Sequence, residues 1–412
     1  MKVFKFGGAS VKDAESVKNV AKVLESQGFE NCLLVVSAMG KTTNALEKVV
    51  EYYFKKEDYQ AEVEKIKQSH LEITKGLFSE NHSIFGEVAL FFDDLDSFLR
   101  RNKSPNYNFV YDQVVSCGEM ISSKILSEYL NDINFANAWL DARDYIKTDD
   151  SYREGVVNWA ETENKIAALS KAQSYVTQGF IGSEDNNFTV TLGREGSDYS
   201  AAIFAYCLNA DAMTIWKDVP GVMTGDPRKF ENVTLLSNIS YEEAIEMAYY
   251  GASVIHPKTL QPLKQKHIPF YVKSFVKPEM PGTKVGDSDH NQSVESYILK
   301  ENQVLMNIST RDFSFIAEDH ISQIFNLLAK YKVKVSLMQN SAISLALCLE
   351  DKFGKVDVVN EELSQQFNTE IVKNVSLYTI RNANMDELSK FYENKKVLLE
   401  QISKQTVQIV TN

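Results

Sequence analysis

The chain has 412 residues, enough for two or three domains, and its 44% hydrophobic and 24% charged residues are those of an ordinary globular protein. A net charge of -12 with no dense Lys/Arg block argues against a nucleic-acid partner, and no apolar run approaches the roughly 20 residues that span a bilayer. The 4 cysteines are widely spaced with no CxxC pair, and Met1-Lys2-Val3-Phe4-Lys5 opens without a signal-peptide core, so buried thiols and a cytoplasmic location are expected.

Residues 1 to about 55 read strand, loop, helix, strand, loop, helix. Val3-Phe4 runs into Lys5-Phe6-Gly7-Gly8-Ala9-Ser10. A Lys beside paired glycines suits phosphate, because backbone N–H groups can approach closely and the ammonium neutralises charge. A plain tight turn accounts for the same residues equally well. Leu33 to Val36 is the second strand, followed by Ser37-Ala38-Met39-Gly40-Lys41-Thr42-Thr43-Asn44 and a helix starting at Ala45. Gly40-Lys41-Thr42 is not a Walker A loop, since Val35 stands where that pattern needs a Gly; its hydroxyls still suit a small ligand.

From about 56 to 103 the pattern is helical and charged, an excursion beside the sheet. Val114 to Leu130 is another helix, with Gly118-Glu119 in its first turns. An acid after Ser116-Cys117-Gly118 in an apolar helix is either a solvated face residue or a ligand group. Strand and helix signals then alternate to about 275, which predicts a mostly parallel sheet covered on both faces. Phe188-Thr189-Val190 leads into Thr191-Leu192-Gly193-Arg194-Glu195-Gly196-Ser197-Asp198. An Arg beside a Gly-Ser pair suits a small carboxylate, held by two parallel bonds, while Ser197 and Asp198 would also serve as helix caps. Met213-Thr214-Ile215 leads into Trp216-Lys217-Asp218-Val219-Pro220-Gly221, running on to Asp226-Pro227-Arg228.

Sheets of this kind bind ligands outside the carboxyl ends of their strands. Phosphate at one strand end and carboxylate at another points to phosphoryl transfer to an acid. His256, before Pro257, reads as a base or, more simply, as a structural residue. No His/Cys/carboxylate cluster has metal-ligand spacing, so no dedicated metal site is expected; any metal would be Mg²⁺ carried by a nucleotide.

Lys277-Pro278-Glu279-Met280-Pro281-Gly282 and the polar stretch Gly286 to Ser293 read as a linker. Beyond it come a strand, Val304 to Ile308, and an amphipathic helix marked by Ile321, Ile324, Phe325 and Leu328. Two strands follow, Lys332 to Leu337 and Ala342 to Leu349, then a helix after Asp351, an order that predicts a ferredoxin-like unit. The tail repeats the rhythm more weakly as strand Val375 to Ile380, helix Met385 to Tyr392 and strand Thr406 to Val410. It looks too short for a second complete unit.

Taken together, these segments resemble the aspartate kinases of the amino acid kinase superfamily over nearly the whole chain. Lys5 to Ser10 is similar to the family's KFGGTS opening, with Ala9 in place of Thr or Ser. Ser37 to Asn44 resembles its SAMGxxTN loop, and Val115 to Met120 its VSxGE helix. Gln178-Gly179-Phe180-Ile181-Gly182 with Thr191 to Asp198 resembles its QGFIG and TLGRGGSD pair, with Glu195 for a Gly. Trp216 to Arg228 is similar to its nucleotide segment and Glu246 to Pro257 to its ExAxxGAKVLHP segment, with Lys217 for the commoner Thr, Met223 for a Tyr, and Ser253 for a Lys often found near the phosphates.

The resemblance implies an α/β three-layer amino-acid-kinase fold over 1–285, with a mostly parallel central sheet. It also implies an ACT-type, ferredoxin-like α+β regulatory region over 300–412, whose second unit looks truncated and whose feedback response should then be weak. Its substrates would be L-aspartate and ATP with Mg²⁺, and the protein would be a homo-oligomer, a dimer through the C-terminal region. Lys5, Phe6, Gly7 and Gly8 would meet the nucleotide phosphates, with Lys5 and Gly8 catalytic and Asp198 orienting Lys5. Ser37, Thr43, Glu119, Arg194 and Ser197 would bind aspartate, Glu119 facing its ammonium and Arg194 a carboxylate. Lys217, Asp218, Met223, Arg228, Ser253 and Val254 would line the ATP site. A kinase for another small acid such as glutamate, and a non-catalytic amino-acid sensor, are the alternatives.

Overall fold

The structure, a computed structural model, describes residues 1–252, 254–287, 294–384, 388, 392 and 395–412. The chain divides into two compact units: Met1–Val222, Leu235–Ile245 and Val254–His290 form the first, and Met223–Thr234, Glu246–Ser253 and Asn291–Asn412 the second.

In the first unit, β1 (Lys2–Phe6) is buried from Val3 onward and β2 (Cys32–Val36) along its whole length. Such continuous burial is what a sheet covered on both faces requires. The intervening α1 (Ala14–Gln27) starts at Asp13, whose side chain accepts from the Ser16 N–H. Then come α2 (Thr42–Lys55), α3 (Gln60–Leu77), α4 (Ile84–Arg101) and the long α5 (Tyr107–Asp132). The helical excursion expected from about 56 to 103 is therefore α3 and α4. The chain continues through β3 (Ala138–Leu140), α6 (Ala142–Tyr145), α7 (Trp159–Ala167), β4 (Tyr175–Gln178), β5 (Ile181–Ser183) and β6 (Thr189–Thr191). It closes with α8 (Gly196–Leu208), β7 (Ala212–Lys217), β8 (Asn238–Ser240), α9 (Tyr241–Tyr250, which passes into the second unit at Glu246), α10 (Pro257–Gln265), β9 (Phe270–Ser274) and β10 (Thr283–Gly286).

The main sheet runs β3-β4-β2-β1-β7-β9-β10-β8 and is parallel throughout except where β10 opposes β9. β5 and β6 stand apart as an antiparallel ladder. The Arg194 loop thus leaves a short satellite ladder rather than a strand of the main sheet. Short β6, with Phe188 46% exposed just before it, lacks the continuous apolar run of a central strand. Phe4, Leu34, Val36, Val49, Val114, Ile121 and Trp216 belong to the principal core. Among the described residues, no helix is long and apolar enough to cross a membrane.

The second unit carries β11 (Ser296–Thr310), α11 (Glu318–Lys330), β12 (Lys334–Asn340), β13 (Ser344–Glu350), α12 (Val356–Leu363), β14 (Phe367–Arg381), β15 (Val397–Ser403) and β16 (Thr406–Thr411). They form an antiparallel sheet in the order β12-β13-β11-β14-β16-β15. β11 and β14 pair along most of their 15-residue lengths, with register breaks at Lys300/Gln303 and Gln303/Val304. Beyond the breaks, Val304–Ser309 pairs with β13, and Met306, Ile308, Leu345 and Leu347 form a core with Ile324 of α11 and Val359 of α12. Before them, Ser296–Lys300 pairs with Leu377–Arg381, whose other edge takes β16. The helix expected at Met385 to Tyr392 lies almost wholly outside the described residues.

Candidate active site

The register of β1 on β7 sets Lys5 opposite Ile215 and Phe6 opposite Trp216, so Lys5 and Lys217 come together at adjacent carboxyl ends. Asp198, in the first turn of α8, meets both. Lys5 Nζ lies 2.6 Å from its Oδ1 and Lys217 Nζ 3.4 Å from its Oδ2. Lys217 also donates to the Val254 carbonyl at 2.6 Å. Asp198 is 1% exposed. Burial pushes its carboxyl up, but the two ammonium groups more than offset this and hold it below the usual carboxylate range. Two cations around one anion leave the cluster with an excess of one positive charge.

A Cβ built on Gly7 would meet only the Lys5 ammonium, at 3.5 Å, so the space above this backbone is bounded by a positive charge. At Gly8 the situation is reversed. A Cβ there would stand 2.6 Å from the Ala38 carbonyl and 2.9 Å from that of Gly40, a contact only glycine allows. The Gly40 N–H donates to the Gly8 carbonyl at 3.0 Å and the Ser37 N–H to that of Phe6 at 3.1 Å. The loops after β1 and β2 are therefore joined, with Ser37 and Thr43 half-buried on the second.

Glu119 reaches this junction from α5. A Cβ at Gly118 would lie 2.9 Å from the Ala38 side chain and 3.1 Å from that of Thr42, so the missing side chain lets α5 sit against the loop. The Ala38 N–H donates to Glu119 Oε1 at 3.3 Å, while Oε2 is buried without a hydrogen-bond partner among the described residues. Burial pushes this carboxyl up to about 8, against the pull of the Ala38 N–H and the Lys5 charge. An unpaired buried carboxylate oxygen is costly, and a cationic ligand group would satisfy it.

Arg194 is exposed and has no hydrogen-bond or ion-pair partner among the described residues; Ser197 is half-buried. The helix-capping reading of Ser197 and Asp198 is corrected here. Glu195 is the cap residue, in left-handed backbone (φ 55°) with no side-chain capping bond, and Ser197 and Asp198 fall inside the first turn. Asp218 is exposed just after β7. Met223 and Arg228 belong to the second unit, where Arg228 forks onto Asp226, Nε to Oδ1 at 2.9 Å and Nη2 to Oδ2 at 2.7 Å. Ser253 lies outside the described residues. His256 caps α10, its Nδ1 accepting from the Lys258 N–H, in keeping with a structural role.

The sequence reading missed Asp112. Wholly buried on α5, it accepts from the Arg153 and Thr191 N–H groups, each at 2.9 Å, and from the Thr191 hydroxyl at 2.7 Å. It thereby fixes the start of the Arg194 loop to the helix that carries Glu119. Burial raises its carboxyl to about 6 despite these donors. The expected helix began at Val114 and left Asp112 outside it; α5 starts at Tyr107 and so carries Asp112 seven residues before Glu119, on the same face.

A doubly covered parallel sheet that gathers two lysines and a buried acid at its strand ends is a phosphoryl-transfer architecture, and the model of the amino acid kinase family matches residues 1–274. The lysine-sensitive aspartokinase 3 of Escherichia coli (strain K12) is 31% identical over 381 residues, covering 90% of this chain and 82% of the relative. The chain spans 42% of the length of bifunctional aspartokinase/homoserine dehydrogenase 2, chloroplastic, of Arabidopsis thaliana, 28% identical to it over 393 residues and 89% of this chain. Among solved structures, E. coli aspartokinase III in complex with aspartate and ADP matches with a TM-score of 0.82 at 27% identity, covering 100% of this chain and 96% of the other. The chain belongs to the aspartokinases of the amino acid kinase family.

Proposed function

We propose that the protein transfers the γ-phosphoryl group of ATP to the side-chain carboxylate of L-aspartate, giving 4-phospho-L-aspartate, the first step toward lysine, threonine and methionine. The observation that carries this reading is the Lys5–Asp198–Lys217 cluster, an excess of positive charge around one buried carboxylate beside the open backbone of Gly7. The acceptor carboxylate has an ordinary pKa near 3.9 and is ionised at neutral pH, so no general base is needed. The work left is to align two anions and neutralise the equatorial phosphoryl oxygens. Lys5 and the Gly7 and Gly8 backbone serve that end, Asp198 orients Lys5, and Asp218, Lys217 and Val254 take the nucleotide. Ser37, Thr43, Ser197, Glu119 and Arg194 hold aspartate, the last two by its ammonium and a carboxylate.

Mg²⁺ would enter on the ATP phosphates and supply further neutralisation of their oxygens. The cluster offers ammonium groups and one carboxylate already paired with them, donors suited to phosphate oxygens rather than to a cation. The 300–412 region would act as an ACT-type amino-acid sensor and dimer contact, in a cytoplasmic protein. Hydroxylamine trapping tests the function. Aspartyl hydroxamate formed with ATP and aspartate, and none with glutamate, is the expected result; glutamyl hydroxamate would make it a glutamate kinase, and neither product a binding protein.

A further inference from the structure

Resting on the phosphoryl-transfer reading, we propose that Lys217 is a second catalytic cation, gripping the transferring phosphoryl group from the side opposite Lys5, with Asp198 as the spacer between them. One ammonium is enough to neutralise Asp198, and Lys5 supplies it at 2.6 Å. The Lys217 ammonium, at 3.4 Å, is in surplus. That surplus charge is half-buried, and an anionic oxygen would complete it. The two lysines differ in access: the Lys217 side chain is 20% exposed and that of Lys5 9%. An ammonium has three donors. The Val254 carbonyl takes one of those of Lys217 and Asp198 attracts a second, which leaves one for an incoming oxygen.

In the transfer, an aspartate carboxylate oxygen forms a bond to Pγ as the bond from Pγ to the β–γ bridging oxygen breaks. The bond pair leaves with ADP and no proton moves. Negative charge shared by the phosphoryl oxygens then faces two ammonium groups held at fixed spacing by one carboxylate, which is preorganised neutralisation.

The alternative is a strut, in which Lys217 merely ties β7 to Val254. Three variants separate the two. Lys217→Met keeps the stem and should lower kcat/KM for ATP by about 10²–10³-fold, the usual effect of deleting one charge-stabilising donor. Lys217→Arg should recover only part. Lys217→Cys treated with 2-bromoethylamine regains an ammonium at nearly the same reach and should recover at least about tenfold over the untreated variant; the native cysteines are all buried, which favours selective labelling. Calorimetric binding of ATP, ADP and adenosine to Lys217→Met gives a second readout. Loss greatest for ATP and absent for adenosine supports the proposal, whereas equal loss for all three, or a kcat/KM within twofold of wild type, overturns it. If the wild-type chain forms no aspartyl hydroxamate, the functional reading fails, and the binding series still decides whether Lys217 meets phosphate.

Discussion

Glu119 carries the clearest pH signature of any single residue. Its folded pKa of about 8 stands above the ordinary 4.5, so between those values the folded chain holds a proton that the unfolded chain has lost. The stability this contributes is complete below about 4.5 and disappears as the pH rises through about 8. An ammonium at Oε2 reverses the preference, because the ionised carboxylate then has its partner. Aspartate binding at pH 7 should therefore release most of one proton. KM for aspartate should fall between pH 6 and 8, by up to about tenfold per unit. Calorimetry in buffers of different ionisation heat checks this; Glu119→Gln should abolish the release, and a binding heat independent of buffer would contradict the role. At Arg194 the geometry of the guanidinium fork is at stake. Arg194→Lys keeps the charge but loses the second parallel bond, a deficit of roughly 2–3 kcal/mol that corresponds to a rise in aspartate KM of about 30- to 150-fold. An unchanged KM would remove Arg194 from the substrate. Lys5 and Glu119 could be singled out from the residues alone, the one interrupting an apolar run and the other beside Gly118, whereas Asp198 read there only as a helix cap and its tie to Lys5 came from the family resemblance. Asp112 could not be singled out, because the expected helix began two residues after it and its three donors come from segments about forty and eighty residues away, which no local pattern reveals.

At the scale of elements, the turn into α8 shows what a single side chain costs. Glu195 occupies left-handed backbone at φ 55°, a conformation that penalises any residue with a Cβ by about 1–2 kcal/mol. Part of that would be given back by the greater freedom of glycine in the unfolded chain. Glu195→Gly is thus expected to raise stability by about 0.5–1 kcal/mol, read as a higher urea midpoint. A lower midpoint would mean that the Glu195 side chain has an undetected partner. Buried strands such as β1, β2 and β7 were readable from their apolar runs. The first half of β14 was not, because from Asn368 to Asn374 its side chains are exposed or half-buried and carry no apolar stripe. Only the segment from Val375 looked like a strand. The same holds for β15, half-buried at best and unread until its pairing with β16 was in view.

For the whole molecule, the composition break near residue 280 says nothing of how the chain shares itself between its two units. Met223–Thr234 and Glu246–Ser253 precede that break and yet belong to the second unit. There the Tyr297 N–H donates to the Thr224 carbonyl at 2.6 Å, Phe230 packs on Tyr297 and Tyr378, and Arg381 reaches Glu246 at 3.4 Å. Long-range pairings of this kind follow from no local periodicity. They make the second unit a woven object: a single peptide-bond break between 287 and 294 would separate the covalent halves without separating the folded ones. A protease site placed there and cleaved under native conditions should yield two fragments that co-elute on size exclusion and part only in denaturant, whereas independent elution would show the interleaved segments to be dispensable. Recombination would meet the same obstacle, since a cut-and-paste of everything beyond residue 290 would carry off the second unit with two of its own threads left behind in the first stretch of chain.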